Sequence, residues 1–304
     1  MLEIAIMIEG QNGLTWPRWQ KIARLVEDAG FIGLFRSDHF TNSNPPDLES
    51  LELWTSLTWL AGNTRRIEFG PLVTPFSFRH PVHTARMASA VDDLSNGRLV
   101  LGVGAGWNER EHYLFGFELL EPGARFERFK EGMEVVTRLL QSNEPVTFDG
   151  KYYQLRGATL LPRPQRPGGP RILIGGNGIK QTLSYVVRYA DEWNCVMLTP
   201  GKFTDINTKL NDLLNAAGRK TESVRRSMMT GCVFGKDDAT LREKIAARGK
   251  SLDQLQQSGV VAGNLSAVKK QLQDLEQAGL QRIMLQWLDL DDVESLEVLA
   301  KGVL

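Results

Sequence analysis

The chain has 304 residues, 42% of them hydrophobic, and its 36 Lys and Arg are balanced by 36 Asp and Glu. A chain of that size buries roughly three quarters of the surface it exposes when unfolded, so it folds rather than staying disordered. Its net charge of zero argues against nucleic-acid and membrane surfaces, which depend on uncompensated Lys and Arg, and leaves a small molecule as the expected partner.

The first apolar run, Glu3 to Ile8, has no basic segment ahead of it and carries a charge inside it. It reads as a strand and not as an export signal. No apolar stretch approaches the ~20 residues of a bilayer span, and a soluble, cytoplasmic protein is expected. Trp19, Ile22, Ala23, Val26 and Ala29 then share one helical face, closed by Gly30 ahead of a second run, Phe31 to Arg36. The third run is Ile67 to Val73 and the fourth Leu99 to Gly104, followed by a helix with Phe126, Phe129, Met133, Val136 and Leu140 on one side.

Glu144 to Leu155 reads as strand, Asp149-Gly150 turn and strand, an inserted hairpin. Leu161 to Pro170 is too rich in Pro and Gly for either regular element. Runs five to eight are Arg171 to Gly175, Trp193 to Leu198, Ser227 to Phe234 and Arg282 to Trp287. Between the last two, a helix is expected within Asp237 to Val261, ahead of a crossover helix carrying Val268, Leu272 and Leu275 that Gly279 ends. Cys195 and Cys232 lie in apolar segments without metal-ligand or redox spacing, so they read as buried thiols.

Eight apolar runs alternating with amphipathic stretches, with no linker between halves, predict one (β/α)8 TIM barrel over residues 1–304. It carries an insertion around 144–170 and extra helices on its C-terminal face. Two doubly wound halves are the less favoured alternative. In a barrel the loops after the strands build the site, and the candidate residues lie at those strand ends.

Strand two ends in Asp38-His39-Phe40, an acid and an imidazole side by side, able to orient and exchange a proton. Strand four ends in Gly104-Ala105-Gly106-Trp107, where small residues admit a flat ligand and an indole can cover it; tight barrel packing is the other explanation. Strand five ends in Gly175-Gly176-Asn177-Gly178, just ahead of a helix, a phosphate cradle or a plain glycine turn. His80 and His83 flank Pro81 with no third ligand in reach, so no metal site is expected. Phe40, Phe76 and Trp107 suggest a substrate pocket that is largely apolar, although core packing competes for them.

Taken in order, Ser37 to Phe40, Phe69 to Pro81, Leu94 to Trp107, Ile172 to Gly178 with Tyr189 to Trp193, and Val261-Ala262-Gly263 resemble the luciferase-like monooxygenase superfamily, in particular its F420-dependent branch. The resemblance covers nearly the whole chain. It implies a barrel holding a deazaflavin or flavin ring over the strand ends, backed by a non-proline cis peptide at Leu72-Val73 with Thr74 beside it. It further implies a coenzyme phosphate at Gly175 to Gly178, catalysis by Asp38 and His39, and a homodimer. Some F420-dependent dehydrogenases carry a Glu where this chain has Trp107, a departure that speaks against sugar-phosphate chemistry. Glu109, Glu111 and His112 follow one turn later, and a solvated acidic helix start is the blander explanation for them.

These readings favour an F420-dependent oxidoreductase moving a hydride between the coenzyme and a small, largely apolar organic substrate. An FMN-dependent monooxygenase using reduced flavin and oxygen, a coenzyme-binding protein without turnover, and a hydrolase or aldolase barrel are the alternatives. A surface for the acidic F420 tail would separate the first two, and Arg163, Arg166 and Arg171 are candidates for it.

Overall fold

The computed structural model describes residues 1–304. Its barrel strands are β1 (Glu3–Ile8), β2 (Gly33–Arg36), β3 (Glu68–Pro71, resumed at Thr74–Pro75), β4 (Val100–Gly104), β5 (Arg171–Gly175), β6 (Glu192–Val196), β7 (Arg225–Val233) and β8 (Arg282–Gln286). All pairings between them are parallel, and β8 pairs with both β7 and β1. Phe69 bridges Leu99, and Thr74 pairs with Val103, so the seam between β3 and β4 is closed. Every expected apolar run carries one strand.

Parallel strands are buried on both faces, which is why they were legible as continuous apolar runs. Along β1, Ile4, Ile6 and Ile8 face the surrounding helices, whereas Ala5 and Met7 point into the barrel, where they meet Phe35, Val100, Leu173 and Met284. Gly30 and Gly279 take φ values of 100° and 98° where their helices end, the left-handed conformation expected of them.

Strand three departs from regularity. A methyl at Gly70 would come within 1.9 Å of the Val100 carbonyl oxygen, and one at Gly102 within 2.1 Å of that of Pro71. Only glycine lets β3 and β4 approach this closely. After Pro71 the chain passes through a cis Leu72-Val73 peptide, where the resemblance placed one, and resumes as Thr74–Pro75.

The inserted hairpin pairs Val146–Asp149 with Gln154–Ala158. Its chain reverses over residues 150–153 rather than at Asp149-Gly150 alone, because the Glu131 carboxylate accepts hydrogen bonds from the amides of Lys151, Tyr152 and Tyr153. Two helices, Asp238–Ala247 and Leu252–Gln257, stand where one was expected between β7 and β8. Gly249, at φ 60°, and a capping box on Ser251 divide them. Both cysteines are buried, and burial pushes both thiols up, that of Cys232 to about 12. No helix is long and apolar enough to cross a membrane.

The N-terminal end of the barrel is plugged by charge. Arg282, fully buried, reaches Glu68 at 2.5 Å, Glu3 at 2.8 Å and the buried Glu192 at 3.3 Å. Arg225 and Arg171 complete the cluster through Glu68, at 3.4 and 2.9 Å.

Candidate active site

At the opposite end, β2 delivers His39 to the mouth of the barrel. Its Nδ1 lies 2.8 Å from Oε1 of Glu111, whose Oε2 accepts the Phe40 amide at 3.0 Å. Glu111 is only 1% exposed. An ionised carboxylate can only accept, so Nδ1 carries the proton and Nε2 is left as the ring nitrogen without a protein partner. Burial pushes the imidazole's pKa down, but the Glu111 hydrogen bond and charge, helped by Glu9 and Asp38, outweigh it and hold His39 above the ordinary histidine value. The Trp107 ring stands edge-on to His39 at 5.6 Å and is itself 61% exposed.

Asp38 is not the partner of His39. It accepts hydrogen bonds from Thr74 Oγ1 at 2.7 Å and from the Arg79 guanidinium, which continues to Glu52 at 3.2 Å. The segment behind the histidine is held from below by Arg36. This side chain is 1% exposed, and burial pushes its pKa down to about 10. It donates to the Leu51 carbonyl at 2.5 Å and to Ser56 Oγ at 2.6 Å, while Ser50 Oγ donates to the His39 carbonyl at 2.5 Å.

The glycines of β4 are spent on neighbours. A methyl at Gly104 would sit 2.5 Å from Val73 Cγ2, and one at Gly175 would sit 3.6 Å from Val73 Cγ1, so Val73 forms a wall over the ends of β4 and β5. Leu72 and Val73 pack against the cluster of side chains inside the barrel, and Ala105 packs against the outer core. Gly106 makes room for Ser77, whose hydroxyl donates to His112 Nε2 at 2.8 Å, and His112 Nδ1 in turn donates to the Asn108 carbonyl at 2.6 Å. Glu111 and His112 are therefore buried, which corrects the expectation of a solvated helix start.

After β5, Gly176 turns the chain at φ 125°. Asn177 clasps β6 through both side-chain atoms, accepting the Val196 amide at 2.9 Å and donating to its carbonyl at 2.8 Å. The amides of Asn177, Gly178, Ile179, Lys180 and Gln181 find no protein acceptor. They precede the helix Thr182–Tyr189, an arrangement suited to an anion.

The expected pocket aromatics divide. Phe40 joins Phe78, Phe115 and Phe117 in a cluster with ring centroids 4.9–5.2 Å apart, beside exposed Tyr113 and Leu114. Phe76 is buried against Phe129 and over Gly132 and belongs to the packing of the helix Pro122–Gln141, not to the mouth. The arginines proposed for a coenzyme tail also stand elsewhere. Arg171 starts β5 and pairs with Glu68, Arg166 pairs with Asp92, and Arg163 donates to the Leu139 and Leu140 carbonyls. Two clefts, of about 660 and 860 Å3, likewise lie at the N-terminal end and are walled by polar and charged groups such as Asp92, Arg166 and Glu192.

Compared with known families, residues 3–301 match the one described as luciferase-like monooxygenase. The F420-dependent glucose-6-phosphate dehydrogenase of Kineococcus radiotolerans is 30% identical over 224 residues, covering 72% of this chain and 64% of that one. The phthiodiolone/phenolphthiodiolone dimycocerosates ketoreductase of Mycobacterium kansasii is 32% identical over 198 residues, 64% of this chain and 52% of that one. These matches span between about half and two thirds of the curated relatives' own lengths. In fold, an F420-dependent secondary alcohol dehydrogenase in complex with an F420-acetone adduct superposes at a TM-score of 0.87, with 18% identity over 99% of this chain and 98% of that one. The monooxygenase RslO1 from Streptomyces bottropensis follows at 0.82, with 20% identity over the same shares. With its barrel, its broken third strand and a match across nearly its whole length, the chain belongs to the luciferase-like monooxygenase family.

Proposed function

We propose that the protein is an F420-dependent oxidoreductase acting on a small, largely apolar organic substrate, as a cytoplasmic homodimer. The observation that carries this is the pairing, on one rim, of a histidine with a free Nε2 and a run of unpartnered amides. When bound, the deazaflavin ring supplies hydride donor or acceptor chemistry. The residues fit such a coenzyme. The amides of residues 177–181 would hold its phosphate, Leu72 and Val73 would back its ring, and His39 Nε2 would exchange the accompanying proton with the substrate. Exposed Trp107, Tyr113, Leu114 and Phe115 give the mouth an apolar rim. The F420-dependent relatives support the coenzyme, whereas Trp107 and the apolar rim disfavour a sugar phosphate.

The test is anaerobic turnover of F420 with a panel of alcohols, imines and activated alkenes, beside oxygen uptake with reduced FMN. Turnover in the first assay is expected. Oxygen uptake with FMN alone would replace this reading with a flavin monooxygenase, and turnover in neither would leave a coenzyme-binding protein.

A further inference from the structure

Of Glu109, Glu111 and His112, which follow strand four, the structure singles out one. Glu109 is exposed, and His112 is occupied by Ser77 and the Asn108 carbonyl, but Glu111 is buried and faces the imidazole of His39. We propose that Glu111 is the positioning residue of the reaction: it fixes the tautomer of His39, aims Nε2 into the mouth and stabilises the imidazolium, so that an acid absent from the turn at Trp107 acts through the histidine instead. Glu111 itself remains a carboxylate throughout. The proton that Nε2 gives to the substrate, or takes from it, is exchanged with solvent between turnovers.

Geometry supports this in three ways. Both carboxylate oxygens are engaged on the same short segment, one on His39 Nδ1 and one on the Phe40 amide, so the ring cannot rotate without breaking the pair. The Asn108 N-cap and the helix Glu109–Phe115 set the carboxylate, and Arg110 ties that helix to Asp47 at 2.6 Å, locking the loop that follows His39. The other charged groups that bear on the imidazole are Glu9, just after β1, and Asp38, just after β2. Asp38 is neutralised by Arg79, and Glu9 is bound by Gln11 and Gln286 at 2.9 and 2.6 Å, which leaves Glu111 as the one carboxylate in contact.

The inference rests on reading His39 as the proton-exchanging group, yet its test needs no coenzyme. In imidazole 15N-labelled protein, His39 is assigned by its loss in His39→Ala and titrated in the wild type, Glu111→Gln and Glu109→Gln. The wild type is expected to show Nδ1–H with an unprotonated Nε2 at high pH, and a midpoint above that of an ordinary histidine. Glu111→Gln moves the midpoint down and Glu109→Gln does not. In turnover, Glu111→Gln loses much of the ~10²–10⁴-fold that a positioned acid–base group contributes, with KM unchanged and the His39 limb of the pH profile displaced in the same direction. An unshifted His39 midpoint in Glu111→Gln, or the Nε2–H tautomer in the wild type, overturns the proposal. The tautomer is read on unmutated protein and stands even where a variant fails to fold. Absence of F420 binding would instead defeat the functional reading and leave this titration intact.

Discussion

At one end of the barrel Arg282, Arg225 and Arg171 interlock with Glu3, Glu68 and Glu192, so that the charge there is turned on itself. At the other, polar groups are left open: His39 keeps Nε2 free, and the turn after β5 keeps its amides unpaired. The difference teaches where volume misleads. A cleft of about 860 Å3 lies at the plugged end, but the carboxylates Glu3 and Glu192 in its wall are already ion-paired with Arg282, whereas the mouth holds an imidazole nitrogen and amides with no protein partner.

Four substitutions test that division, beginning with the largest effect. His39→Ala removes the proton-exchanging group, and turnover with an accepted substrate should fall ~10²–10⁴-fold, with the urea midpoint also lowered because the buried Glu111 carboxylate loses its imidazole partner. At the plug, Arg282→Met leaves Glu192 buried without its closest cation. Unfolding in urea should show a loss of about 3–5 kcal/mol, with kcat of the folded fraction unchanged; a catalytic loss without destabilisation would erase the contrast between the ends. Gly104→Ala drives a methyl toward Val73, and should lower stability by ~1–3 kcal/mol and weaken F420 binding together. Gly62→Ala, which meets nothing within 4 Å on an ordinary helix, should stabilise by ~0.5–1 kcal/mol and leave binding alone.

Much of the barrel was legible because parallel strands are apolar on both faces and because Gly30 and Gly279 punctuate helix ends in the same way. His39 was legible as an imidazole at the end of an apolar run. Its partner was not, since Glu111 lies 72 positions away and no local periodicity encodes so distant a contact. Separation in sequence also hid the Asp38–Arg79 pair, 41 positions apart, and adjacency in sequence suggested Asp38 instead. A signal did exist: Asn108, Glu111, His112 and Phe115 recur at helical spacing, and the first three are the buried side. Phe76 was misplaced for a related reason. It follows a strand that bends at Leu72-Val73 and turns inward beneath a helix instead of toward the mouth.

The most direct test of the division between the ends is an equilibrium titration of the protein with F420 and with FMN, each competed against the other and repeated in Gly104→Ala and Arg282→Met. Tight F420 binding that FMN displaces poorly, weakened in Gly104→Ala and unchanged in folded Arg282→Met, is the predicted result. Preference for FMN, or binding lost at the plug and retained at the mouth, would contradict it.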